Sequence, residues 1–119
     1  MLRLLIITAL SATFRGSYAT LSSMTAKSVD FEVFGRVQGV FFRKYTKEQA
    51  EKLGIRGWCK NTAQGTVLGH MQGPVDKVEN MMQWLKNTGS PSSKIEKCEF
   101  RNQQDIGDFT FTDFGIRKD

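Results

Sequence analysis

A chain of 119 residues with 39% hydrophobic and 24% charged side chains has an ordinary globular balance and no room for a second full-sized domain. Its formal charge of +5 is unevenly spread: Arg3, Arg15 and Lys27 precede any acidic residue, so residues 30–119 carry 14 basic and 12 acidic side chains, a surplus of only +2. That surplus is too mild for a nucleic-acid-binding stripe and suits a small anionic ligand.

Residues 1–28 read as an extension separate from the rest. Met1 to Phe14 is apolar apart from Arg3, and Arg15 to Lys27 is rich in Ser and Thr. The apolar run is too short and too interrupted to span a membrane. It has the length of a weak secretory signal but no convincing cleavage site, and its basic, hydroxyl-rich, acid-free makeup fits a mitochondrial presequence equally well. An unstructured tail is the third reading, and the sequence leaves all three open.

The globular part is expected over 29–119. Val29, Phe31 and Val33 alternate along residues 29–35, the period of a strand. A glycine-punctuated loop, Gly35-Arg-Val-Gln-Gly39, leads into a helix whose inner positions are Phe42, Thr46, Ala50 and Leu53. Gly54 stands at its C-terminal cap, and Glu48 and Lys52 are spaced as an exposed i,i+4 pair. Residues 55–61 and 66–72 read as two strands joined by the turn Thr62-Ala-Gln-Gly65. Gly73-Pro74 opens a second helix with an inner stripe of Val75, Val78, Met82 and Leu85, and Gly89-Ser-Pro91 ends it. A fourth strand is expected over 95–101 and a fifth over 109–114, alternating through Phe109 and Phe111. The order β-α-β-β-α-β with an added strand is the α+β, ferredoxin-like sandwich, two helices on one face of a mostly antiparallel sheet. That fold hosts enzymes, RNA binders and metal carriers alike, so function has to be sought in the loops.

The chemistry is concentrated in two segments. In the first, Gly35 to Arg43 (GRVQGVFFR), a glycine loop leaves a strand and enters a helix N-terminus, where backbone N–H groups lack partners and the helix dipole favours an anion. Gly39 permits close backbone approach, and Arg43 lies in the first helical turn, near enough to fold over whatever the loop holds. The second segment runs from Gly57 to Gly73 and carries Asn61 at the hairpin tip. Alone, the first segment reads equally well as a plain strand–helix turn with a surface Arg, and Asn61 as an ordinary turn residue.

Together the two segments resemble the signatures of the acylphosphatase family. The first signature matches at Val33, Gly35, Val37-Gln38-Gly39-Val40, Phe42 and Arg43, and the second at Gly57, Trp58, Asn61, Gly65, Val67 and Gly73. The resemblance covers about residues 29–117 and leaves the extension unaccounted for. It implies hydrolysis of the carboxyl–phosphate bond of acyl phosphates without metal, cofactor or phosphoenzyme. It further implies that Arg43 and the backbone amides of Gln38, Gly39, Val40, Phe41 and Phe42 bind the phosphate. Asn61 would hold the attacking water, with Gly35 and Thr62 in support.

The implied recipe is chemically reasonable. The leaving group is a carboxylate whose acid has a pKa of about 4 on the side-chain scale, so no general acid need protonate it. The chain has one His, and neither signature contains Asp or Glu. His70, in phase with Thr66, Leu68 and Gln72, has no partner in sequence and reads as structural or surface. Trp58 and Trp84 read as core or helix-face aromatics. Cys59 and Cys98 lack metal-ligand spacing and read as reduced core residues. An RNA-recognition domain is disfavoured by Asp30 and Glu32 in the first strand. The remaining alternative is a non-catalytic anion-binding or regulatory module on the same fold, against which Asn61 argues. The expected partner is a small-molecule acyl phosphate, with no nucleic acid and no membrane. A cytoplasmic monomer is expected, unless residues 1–28 direct the chain to mitochondria or the secretory route.

Overall fold

The computed structural model describes residues 26–118, and the extension readings, apart from its last three residues, fall on residues outside that range. The alternation of Val29, Phe31 and Val33 buries all three on the inner face of β1 (Ala26–Arg36), which begins three residues inside the expected extension. The loop leads to α1 (Phe42–Leu53), whose buried positions are Phe42, Thr46 and Ala50 and which ends at Gly54 with φ 74°. The ion pair on this helix is Lys47–Glu51, one position before the expected Glu48–Lys52 pair.

Strands β2 (Arg56–Asn61) and β3 (Val67–Pro74) form the expected hairpin. Thr62 donates its N–H to the Thr66 carbonyl, and Gly65 donates to that of Thr62. β3 passes without a loop into α2 (Val75–Asn87), with Pro74 as the residue just before the helix. Its buried face is Val78, Met81 and Leu85, and Met82, expected in the stripe, only flanks it. Positions 78, 81 and 85 follow the 3-4 spacing of one helix face, and the adjacent Met81–Met82 pair made the phase ambiguous in sequence.

β4 (Lys94–Ile106) runs five residues past its expected end. Its polar continuation has no inward alternation and is held by backbone pairing, with Ile106 opposite Ala26 and Gln104 opposite Ser28, and by the Asn102 amide, which donates to Asp30 Oδ2 at 2.8 Å. The fifth strand differs most: β5 is Phe114–Ile116, and the expected strand 109–114 is instead a strap across the open face of the sheet. The alternation of Phe109 and Phe111 reflects two rings laid on that face, over Arg56 and His70 respectively. Gln72 fixes the strap between them, accepting the Thr110 N–H at 2.9 Å and donating to its hydroxyl at 2.8 Å.

The sheet order is β4-β1-β3-β2-β5, antiparallel except for the parallel β2–β5 pair. Both helices cover the face that carries Val29, Phe31, Val33, Cys59, Val67, Met71 and Phe114. The fold is thus the ferredoxin-like α+β sandwich. Trp84 flanks the core against Phe42, whereas Trp58 lies opposite His70 on the open face with the Arg117 guanidinium 4.2 Å over its ring. Both cysteines are free thiols, and burial pushes each up to about 12. Because β1 and β2 run in the same direction and β5 is parallel to β2, the carboxyl ends of all three meet at one end of the sheet.

Gly57 permits this edge. It adopts φ 141°, and a Cβ there would fall 1.9 Å from the His70 carbonyl oxygen, a backbone atom that cannot move aside. Gly57→Ala is expected to cost about 3 kcal/mol in urea denaturation, the upper range for overpacking without relief. A chain starting at Ala26 should keep the full β1. One starting at Val29 loses the pairing of Ala26–Ser28 with β3 and β4 and should be less stable by on the order of 2 kcal/mol, measured in the same way.

Candidate active site

The loop between β1 and α1 is shaped by what it anchors at each end. Gly35 takes φ 128° at a register shift against β4, where a side chain would meet the Lys94 carbonyl oxygen at 2.1 Å. Val37 is buried, and Phe42 is locked by its contact with Trp84 and by the Thr46 hydroxyl, which donates to the Phe42 carbonyl at 2.7 Å. Between these anchors Gly39 has φ 75° and nothing near its Cβ position. Phe41 caps the helix in the left-handed conformation, φ 60°, with no side-chain cap bond. Among the described residues, no backbone carbonyl accepts the N–H groups of Gln38, Gly39, Val40 or Phe41. The first turn of α1 holds no acidic residue, so the positive end of the helix is not offset locally.

Arg43 leaves this turn into a cleft of about 440 Å³ that Asn61 also lines. Arg43 forms no ion pair with any described carboxylate, although its charge reaches the neighbouring core: burial raises the Cys59 thiol, and Arg43 only partly offsets the rise. Across the cleft, the Oδ1 atom of Asn61 is buried and has no hydrogen-bond partner. An unpaired cation and an orphaned acceptor therefore share one cleft.

The two segments are tied together by Gln38. Its Nε2 donates to the carbonyls of Thr62 at 2.9 Å and Thr66 at 2.8 Å, so one carboxamide spans from the loop to the hairpin. A hydroxyl chain continues from there. Glu32 only accepts, so the Thr66 hydroxyl donates to its Oε2 at 2.7 Å, and the Thr62 hydroxyl then donates to Thr66 Oγ1 at 2.6 Å. Arg101 closes the chain on the other Glu32 oxygen at 3.0 Å. The Thr62 hydroxyl also receives the N–H groups of Gln64 and Thr66, which fixes the turn beside Asn61 without bonding the Asn61 side chain itself.

Of the residues singled out in sequence, Gly39, Phe41, Phe42, Arg43 and Asn61 line the cleft. Val40 packs against the core, and Gln38, Gly35 and Thr62 contribute from behind. The roles of Glu32, Thr66 and Arg101 were not read from the sequence. The pairing of β1 with β3, which sets Glu32 opposite Leu68, would have brought Thr66 within reach. Lys44, Ile116 and Lys118 also line the cleft and carry no local signal. His70 lies on the open face, its Nδ1 2.7 Å from Asp30 Oδ1. Burial pushes the Asp30 carboxyl up, but hydrogen bonds from Asn102 and His70 outweigh it and hold the group below the usual aspartate range. Among the described residues, no three His, Cys, Asp or Glu side chains cluster as metal ligands, and no helix is long and apolar enough to cross a membrane.

Comparison with known proteins fits this arrangement. The family model for acylphosphatase matches residues 29–116. The chain is 55% identical over 101 residues to acylphosphatase-2 of Gallus gallus, spanning 85% of this chain and 98% of that protein. It is 52% identical over 96 residues to acylphosphatase-2 of Homo sapiens, spanning 81% and 97%. The solved acylphosphatase of Coxiella burnetii superposes with a TM-score of 0.69 at 30% identity, covering 80% of this chain and 96% of that one. A match through the entire β-α-β-β-α-β unit, at more than half of the aligned residues in two vertebrate relatives, makes this chain a member of the acylphosphatase family of enzymes.

Proposed function

We propose that the cleft hydrolyses acyl phosphates by direct attack of a water held by Asn61 on a phosphate held by Arg43 and the N–H groups of Gln38 to Phe42. The observation that carries this reading is the buried, unpartnered Asn61 Oδ1 in the same cleft as an unpaired Arg43. A buried acceptor left alone costs about 1–3 kcal/mol, which a water bonded to it would recover.

The chemistry asks for little more. The phosphoryl oxygens carry the charge, and a planar guanidinium beside a ring of N–H groups neutralises it in a bidentate, fixed geometry. Water forms the new P–O bond, the bond from phosphorus to the acyl oxygen breaks, and the carboxylate leaves with the electron pair. The proton lost by the water passes to a phosphate oxygen or to solvent. Such transfer depends on alignment and charge stabilisation more than on proton donation, so neither a metal nor a general acid is required. Ordinary phosphate monoesters leave as poor alkoxides and should be turned over weakly. In this reading the protein is a monomer acting on a small molecule without nucleic-acid, membrane or cofactor partners. The two unpaired thiols favour a reducing compartment, the cytoplasm.

The test is phosphate release from acetyl phosphate with EDTA present. Robust EDTA-sensitive action on monoesters instead would overturn the mechanism. Asn61→Ala should keep the fold and the binding of inorganic phosphate while turnover falls by on the order of 10²–10³. Unchanged turnover would return Asn61 to the status of a turn residue and favour a different water site. Asn61→Asp should also lose activity, because a carboxylate beside the phosphate repels it.

Gln38→Leu removes the donor that bridges loop and hairpin while keeping the side-chain bulk. Because it misaligns water and phosphate without touching either, kcat should fall about tenfold with inhibition by inorganic phosphate little changed. Kinetics of the variant against the unaltered chain decide this.

A further inference from the structure

A hydrogen-bond relay crosses the open face of the sheet, and the proton count on one ring decides whether it closes. It starts at Asp30 on β1, passes through His70 and Gln72 on β3, and ends on Thr110 in the strap of residues 107–113. We propose that this relay is an acid-sensitive clasp: the strap is docked while the His70 imidazole is neutral and is released at Thr110 when the ring gains a second proton.

Both ends of the relay have a fixed polarity, which leaves its middle no choice. Burial raises the Asp30 carboxyl, but hydrogen bonds from Asn102 and His70 outweigh it and hold the group below the usual aspartate range, so it only accepts. His70 Nδ1, 2.7 Å away, therefore carries the proton of the neutral ring, and Nε2 keeps a lone pair. At the far end the Thr110 N–H only donates, and it donates to Gln72 Oε1 at 2.9 Å. With Oε1 so engaged, the two N–H groups of Gln72 Nε2 go to His70 Nε2 at 3.0 Å and to the Thr110 hydroxyl at 2.8 Å. Every bond is made in one protonation state only, with His70 neutral.

A second proton sets the His70 Nε2–H against an N–H of Gln72. Turning the carboxamide over gives the ring an acceptor but points an N–H at the Thr110 N–H, so the conflict moves to the strap. The docked strap thus binds one proton fewer than the released one. Docking is favoured above the range in which an imidazole ordinarily titrates, about pH 5–8, and weakens as pH falls through it. The flanks of the strap are held separately. Arg56 lies over the Phe109 ring and donates to the Phe111 carbonyl at 3.3 Å, and Gly57 donates to the Asp113 carbonyl at 2.9 Å. Release is therefore local to Thr110.

The charges around His70 push both ways. Asp30, and Glu32 farther along β1, favour the imidazolium. Arg56 and Lys60, on β2 either side of the Trp58 that stands opposite His70, oppose it, as do Arg101 near Asp30 and Arg117 over Trp58. The strap brings the Phe111 ring, 5.5 Å from that of His70, with Asp108 and Asp113 toward its two ends. The His70 side chain is 20% exposed, so protons reach it without unfolding.

The test is hydrogen exchange of the Thr110 amide, followed by NMR in the full chain from pH 8 to pH 5 with the His70 ring signals recorded in parallel. Expressed as a protection factor, which removes the intrinsic pH dependence of exchange, Thr110 protection should fall about tenfold as the ring titrates, while that of amides within α2 stays constant. His70→Gln offers an oxygen to Gln72 and an N–H to Asp30 and does not titrate, so its Thr110 protection should be the same at both ends of the range. Asp30→Asn removes a charge that favours the imidazolium. It should move the midpoint of the fall to lower pH, and it stands as the independent variant should His70→Gln not fold. Constant Thr110 protection in the unaltered chain, an equal fall in His70→Gln, a fall shared by α2, or an unmoved or raised midpoint in Asp30→Asn overturns the clasp.

Discussion

The Gln38 carboxamide has two N–H groups, and each is given to a carbonyl of the opposing hairpin, at 2.9 Å and 2.8 Å. On this pair of bonds depends the relation between the two halves of the cleft. The loop bearing the unpaired N–H groups belongs to the β1–α1 connection, and Asn61 belongs to the end of β2, with β3 between their strands in the sheet. Side-by-side strand pairing does not by itself fix two loops that project beyond the sheet. A direct bridge does, and the Thr62–Thr66–Glu32–Arg101 chain extends its anchorage across β1 to the edge strand β4.

The rest of the fold serves this end of the sheet. Parallel β5 adds a third strand terminus there, and its Phe114 is buried against the helices while Ile116 faces the cleft. Phe42 belongs to both worlds: its ring packs on Trp84 in the core, and its position at the start of α1 sends Arg43 outward. The geometry of the cleft and the packing of the core are therefore coupled through one residue, with little slack between them.

Much of this was legible in the sequence because the signals were periodic or local. Val29, Phe31 and Val33 announced a strand, and Phe42, Thr46 and Ala50 a helix face. The strand expected at 109–114 failed because an alternation of aromatics looks the same whether the rings enter a core or lie on an open face. The polar half of β4 was invisible for the opposite reason, since it is held by backbone pairing and by the Asn102 bond to Asp30, with no apolar alternation. Arg43, Asn61 and Gln38 all stood out through the family signatures, but Gln38 only for its backbone N–H and not for its side chain. Its function depends on two carbonyls 24 and 28 positions away, a relation that only the strand order supplies.

The strap of residues 107–113 and the uneven strands beside it bear on how copies of this protein coexist at high concentration. A sheet with two free margins invites end-on growth by another chain's backbone. Here one margin is β4, whose outer half carries Arg101, Asn102 in the left-handed region at φ 53° and Asp105, so it is charged and kinked at once. The other is β5, three residues long and followed directly by Arg117 and Lys118. Neither margin offers a long, flat, apolar ladder, so the same tertiary arrangement that assembles the cleft also makes the folded chain a poor template for fibrils.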